Sequence, residues 1–172
     1  MNQKPKIIKV TLNKKRSLSR LMAIQILYQY DFFAKQPAQP LSIDEITNDV
    51  IENYTLDVEE EVTSYRNKID ETFLKELVNG VVLSFEKIDE EITEFLQGAW
   101  NIERLDDTMH QILRLGTFEL KFLTATPLKV IIDEYVDIAA CFFDSKKVTF
   151  INATLENIAK KIRADEFEKI KK

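Results

Sequence analysis

From Ser17 onward the apolar residues recur at intervals of three and four, the spacing of one face of an α-helix. The first such run passes through Leu21, Ile24 and Tyr28 to about Phe33, with Ser17 or Ser19 as its cap. Pro37 and Pro40 mark a loop. Ser42 and Glu45 then form an S-x-x-E pair, in which each side chain serves the other residue's backbone N–H and starts a helix. Residues 54–68 are polar and acidic, and the pattern sets no helix ends there. A third helix is predicted from Asp70 to Phe85 through Phe73, Leu77 and Val81. A fourth carries Ile88, Ile92 and Phe95 and stops at Gly98.

Beyond Leu105 the pattern doubles. Met109, Ile112, Leu113, Gly116 and Leu120 make one stripe, and Leu115, Phe118 and Phe122 make a second. A helix with two apolar stripes is buried on two sides, at the centre of a bundle. Thr126-Pro127 opens the next helix, since Pro suits the first turn, and Leu128, Ile131, Tyr135, Ile138 and Phe142 face inward from it. The last helix runs from Lys146 to Arg163, with Val148, Ile151, Leu155, Ile158 and Ile162 inward. The expectation is an all-α fold, a compact bundle of about seven helices.

Composition sharpens this picture mainly by exclusion. With 3 Gly and 4 Pro the chain lacks the turns of a β-sandwich and the glycine-rich loops that cradle phosphates. One cysteine, Cys141, leaves no internal disulfide, which fits the reducing cytoplasm. No apolar run reaches the ~20 residues needed to span a bilayer, and no leader peptide is read at the N-terminus. His110 is the sole histidine, Cys141 sits in an apolar run as a buried small residue, and the acidic runs 59–61 and 89–91 read as solvated faces. Asp133 and Asp137 share a face without a third ligand. No catalytic residues, metal or cofactor are expected.

Charge adds one feature. The chain is −5 overall, but residues 1–30 hold seven basic residues and no acidic one, so the remainder carries −12. Residues 1–15 read as a basic N-terminal segment and 16–172 as the helical domain. Lys14, Lys15, Arg16 and Arg20 cluster where the first helix begins, and a helix N-terminus already favours phosphate. A second candidate is Phe150. On the last helix it points away from the inward stripe, among Lys146, Lys147, Ala153, Thr154, Asn157 and Lys161. An aromatic ring between lysines and amides suits base stacking or a protein contact.

Four segments in order then resemble one family. Arg16-Ser-Leu-Ser-Arg20 followed by Ala23-Ile-Gln-Ile-Leu-Tyr28 is similar to the opening helix of NusB proteins. Trp100, Arg104 and Ile112-Leu-Arg-Leu-Gly-Thr-Phe-Glu-Leu120 resemble the family's central segment. Pro127-Leu-Lys-Val-Ile-Ile-Asp-Glu134 resembles its Pro-x-x-Val-x-Ile-Asn-Glu, and Phe150-Ile-Asn-Ala-Thr-Leu155 its Phe-Val-Asn-Gly-x-Leu. Ala153 stands for the family Gly, Asp133 for the Asn, and residues 34–68 match no family segment.

The resemblance implies two packed helical subdomains. It implies a transcription antitermination factor that binds the single-stranded boxA element of nascent ribosomal RNA. The partner is NusE, also a small-subunit ribosomal protein, and the pair joins an RNA polymerase antitermination complex. It maps the RNA contact to Lys14, Lys15, Arg16 and Arg20, and the shared RNA and NusE surface to Phe150, flanked by Lys146 and Asn157. Two other readings stay open: a protein-interaction module, and a relative of the NusB-like domain of ribosomal RNA cytosine methyltransferases. The pattern leaves the oligomeric state open, a homodimer included.

Overall fold

The computed structural model describes residues 15–36, 41–53, 69–96 and 100–170. Among them the helices are α1 (Lys15–Ala34), α2 (Ile43–Asn53), α3 (Glu71–Leu83), α4 (Phe85–Phe95), α5 (Asp107–Phe122), α6 (Leu128–Phe142), α7 (Ser145–Ile162) and α8 (Ala164–Ile170). A 3-10 turn covers Ile102–Arg104, and there is no strand among the described residues. The all-helical class is as the spacing predicted. The additional helix, α8, arises because Arg163 leaves helical geometry at φ −126°, ψ 48°, and the chain turns before resuming.

α5 lies at the centre. Every residue from Gln111 to Leu120 is buried, and α1, α3, α4, α6 and α7 all pack on it. The doubled apolar pattern thus has its expected cause. Two close approaches use glycine. A Cβ on Gly80 of α3 would lie 2.0 Å from the tip of the Phe118 ring, and one on Gly116 of α5 would lie 2.7 Å from a Leu155 methyl of α7. Each glycine lets a neighbouring side chain sit directly on its backbone.

Helix ends are satisfied by side chains, because the first N–H and last C=O groups of a helix have no partner within it. Asp70, Asp106 and Asp144 cap α3, α5 and α7 by accepting from Phe73, Thr108 and Lys147 N–H groups at about 3.0 Å. The Ser42–Glu45 box forms in both directions, with Ser42 N–H donating at 2.8 Å and Glu45 N–H donating to Ser42 Oγ at 3.2 Å. α6 begins after Pro127, and its Leu128 N–H donates to the Glu166 carboxylate of α8 at 2.8 Å. At the opposite end of the same connection, Arg163 donates to the carbonyls of Glu119, Leu120, Leu123 and Thr126.

Several expectations need correction. Neither Ser17 nor Ser19 caps α1, which begins at Lys15; both are buried inside its first turns. α3 ends at Leu83, and Phe85 opens α4 instead, with its ring 6.0 Å from Tyr30. Phe122 and Phe142, assigned to inward stripes, are 48% and 50% exposed because each is the last residue of its helix. Cys141 is only half-buried. The Gly98 stop and the loop prolines lie outside the described residues.

Candidate nucleic-acid interface

The basic start of α1 divides into an exposed part and a buried part. Lys15 is exposed, and the Arg16 side chain retains 56% of its exposure. The Arg16 guanidinium lies over the Phe73 ring at 4.7 Å, with Nε 3.4 Å from the Asp70 carboxylate, so its head rests against α3 on one side and meets solvent on the other. Lys14 lies outside the described residues.

Arg20 requires a correction. The sequence reading put it on the RNA surface, but its side chain is 3% exposed. Its guanidinium forms a two-pronged pair with Glu119, Nε to Oε2 at 2.9 Å and Nη2 to Oε1 at 2.6 Å. Nη1 adds Glu134 at 3.2 Å. The Tyr135 hydroxyl donates to Glu119 at 3.0 Å, and the Ser17 hydroxyl to Glu134 at 2.5 Å. Burial works against the Arg20 charge, but its hydrogen bonds to the Glu119 carboxylate and the surrounding negative groups hold its pKa above the ordinary value. Burial and Glu119 push the Tyr135 hydroxyl well up, so it stays protonated as a donor. A guanidinium held by two carboxylates inside the bundle is not free for phosphate. The signal was present in the sequence: Arg20 is four residues before Ile24 and seven before Leu27, on the apolar stripe itself.

Phe150 also differs from expectation. Its ring is half-buried, and it stacks on Trp100 with centroids 4.6 Å apart and planes 23° apart. Trp100, just before the 3-10 turn, is the partner that the helical wheel of α7 alone could not supply. Lys146 is exposed one turn earlier, and Asn157 is half-buried, with Lys160 donating to it at 3.5 Å. Thr154, expected on the same polar face, is buried and donates to the Phe150 carbonyl. Lys161 is engaged, 2.8 Å from Glu91 and bonded to Glu94. The structure therefore gathers Phe150, Lys146 and Asn157 on α7 with Trp100, and leaves Lys15 and Arg16 on α1 against α3.

His110 belongs to a polar network. Asp89 accepts from Arg114 Nε and Nη2 at 2.8 and 2.6 Å, and lies 2.9 Å from His110 Nε2. Arg114 continues to Asp31 at 2.7 Å, where Gln111 also donates. Burial would raise the Asp89 carboxyl, but hydrogen bonds from Arg114 and His110 hold it below the ordinary range. Burial and Asp137 push the Cys141 thiol up, away from a thiolate nucleophile. Among the described residues no cluster of three His, Cys, Asp or Glu side chains could hold a metal, and no helix is long and apolar enough to cross a membrane.

The described residues thus define an all-helical bundle built around one central helix, with aromatic rings and lysines set on its surface. The chain belongs to the NusB family, whose model matches residues 17–160. The transcription antitermination protein NusB of Caulobacter vibrioides is 38% identical over 149 residues, covering 86% of this chain and 94% of that protein. T. maritima NusB superposes with a TM-score of 0.69 at 25% identity, covering 89% of this chain and 96% of the other. A structure of antitermination factors NusB and NusE in complex with double-stranded RNA superposes at 0.66 and 26% identity, covering 84% and 96%.

Proposed function

We propose that this chain is an antitermination factor that binds boxA-like single-stranded RNA together with NusE, in the cytoplasm and without covalent chemistry, as part of an RNA polymerase antitermination complex. The observation that carries the reading is the Trp100–Phe150 stack, with exposed Lys146 one turn away. Two parallel rings form a platform on which an unpaired base can continue the stack, while a lysine beside them meets the phosphate. Phe150, Lys146 and Asn157 form the part of this surface shared with NusE. Lys14, Lys15 and Arg16 form the second, purely electrostatic contact, and Arg20 holds the helix that carries Lys15 and Arg16. The similar structure of NusB and NusE with double-stranded RNA supports NusE and RNA as the partners, while the preference for a single strand rests on the stacked rings of Trp100 and Phe150.

A titration with boxA-like single strands, with and without NusE, tests this reading. Binding should weaken with log salt at about −0.7 per phosphate neutralised, giving roughly −2 for three contacts. Single strands should bind more tightly than the matching duplex, since paired bases are not free to join the platform. Salt-independent binding, or preference for the duplex, overturns it.

A further inference from the structure

The α6–α7 corner carries a second group of rings. Phe142, the last residue of α6, is 50% exposed. Its ring centroid lies 6.2 Å from that of Phe143, at 49°. Lys147 lies over Phe143, with Nζ 5.0 Å from the ring centre. Lys146 beside it is exposed. The sequence reading placed Phe142 in the core and gave Phe143 no role.

The corner is continuous with the Trp100–Phe150 platform. Lys147 and Phe150 are three residues apart on α7, neighbours on one face and separated by about 4.5 Å of helix rise. The rings and charges therefore run in sequence: Phe142, Phe143, Lys147, then Phe150 on Trp100. Asp144, between Phe143 and α7, is turned to the backbone, accepting from Lys147 N–H at 3.0 Å. Alternation of aromatic rings with lysines fits a strand whose bases and phosphates also alternate.

We propose that the α6–α7 corner is a second stacking step for the same RNA strand, taking a base against Phe142 and a phosphate at Lys147, beyond the nucleotide held by Phe150. The inference rests on the reading of Phe150 and Trp100 as an RNA platform, and it assigns the strand a path that continues along α7 to the end of α6, whichever way the strand runs.

The test compares Phe142→Ala and Lys147→Gln with wild type on boxA-like RNAs shortened by about three nucleotides from either end. Phe142 is half exposed, so the alanine variant should melt with the wild type. On the full strand Phe142→Ala should bind about tenfold more weakly, the scale of one lost base stack. On RNA shortened at one particular end it should bind as wild type does, because the base it would hold is gone. Lys147→Gln should make the salt slope shallower by about 0.7 on the full strand. Equal binding by Phe142→Ala and wild type on every RNA overturns the step. So does a loss that appears only for NusE, which would make the corner a protein contact. Failure of the underlying platform is read separately, as a Phe150→Ala protein that binds all RNAs normally.

Discussion

Arg16 and Arg20 stand one turn apart on α1, yet one is held at the surface over Phe73 and the other lies between Glu119 and Glu134. Removing one member of a buried, hydrogen-bonded ion pair leaves the others charged and unpaired. Arg20→Ala should therefore cost about 3–5 kcal/mol in denaturant unfolding. Arg16→Glu should leave stability within about 0.5 kcal/mol and weaken RNA binding. Equal effects on stability would mean that Arg20 is not confined as the structure places it. Phe150 is intermediate. Its stack with Trp100 is worth about 0.5–1.5 kcal/mol beyond area burial, so Phe150→Ala should melt measurably lower while losing ~1–3 kcal/mol of RNA binding. Trp100→Ala should follow it in both assays. Spacing placed Phe150 off the inward stripe, but it could not show Trp100 arriving from another segment. For Arg20 the stripe position shows the burial, but its partners, 99 and 114 residues away in the chain, lie beyond any local pattern.

At the scale of helices, the pattern worked best where burial is two-sided or a cap is local. α5 and the Ser42–Glu45 box are both legible because period and capping chemistry act within a few residues. Ser42→Ala should lower stability by about 1 kcal/mol, seen as a fall in melting temperature. The α3–α4 break at Ser84 was not legible, because apolar spacing continues through it from Val81 to Phe85 and Ile88. Gly80 offers a sharper test of helix packing. Alanine there gains about 1 kcal/mol of helix propensity, but its Cβ falls 2.0 Å from the Phe118 ring tip. Overpacking typically costs 1–3 kcal/mol, so Gly80→Ala should be destabilised despite its better propensity. A more stable variant would show that Phe118 swings aside freely.

For the molecule as a whole, the acid limb of stability should depend on the Asp31–Arg114–Asp89–His110 network that ties α1, α4 and α5 together. The Asp89 carboxyl is held below its unfolded value. Its contribution is therefore present above the unfolded pKa and is lost as pH falls through the folded one. Unfolding free energy should decline on acidification below about pH 4, near the unfolded carboxylate value. Asp89→Asn should be less stable at neutral pH and show a shallower decline. An unchanged acid slope would remove Asp89 from that role.

The Arg163–Glu166 clasp has a consequence in time. Four carbonyls around the end of α5 and the first N–H of α6 are bonded by two side chains that follow them in sequence by about 40 residues. During synthesis the α5–α6 corner emerges first, with the Glu119 and Leu123 carbonyls accepting from the Leu123 and Thr126 N–H groups but without its two side-chain partners. At 5–20 residues per second, it waits about two to eight seconds before Arg163 and Glu166 are made. Throughout that interval the corner lacks the bonds of Arg163 and Glu166, and a ribosome stalled between the two would display a corner open to proteolysis.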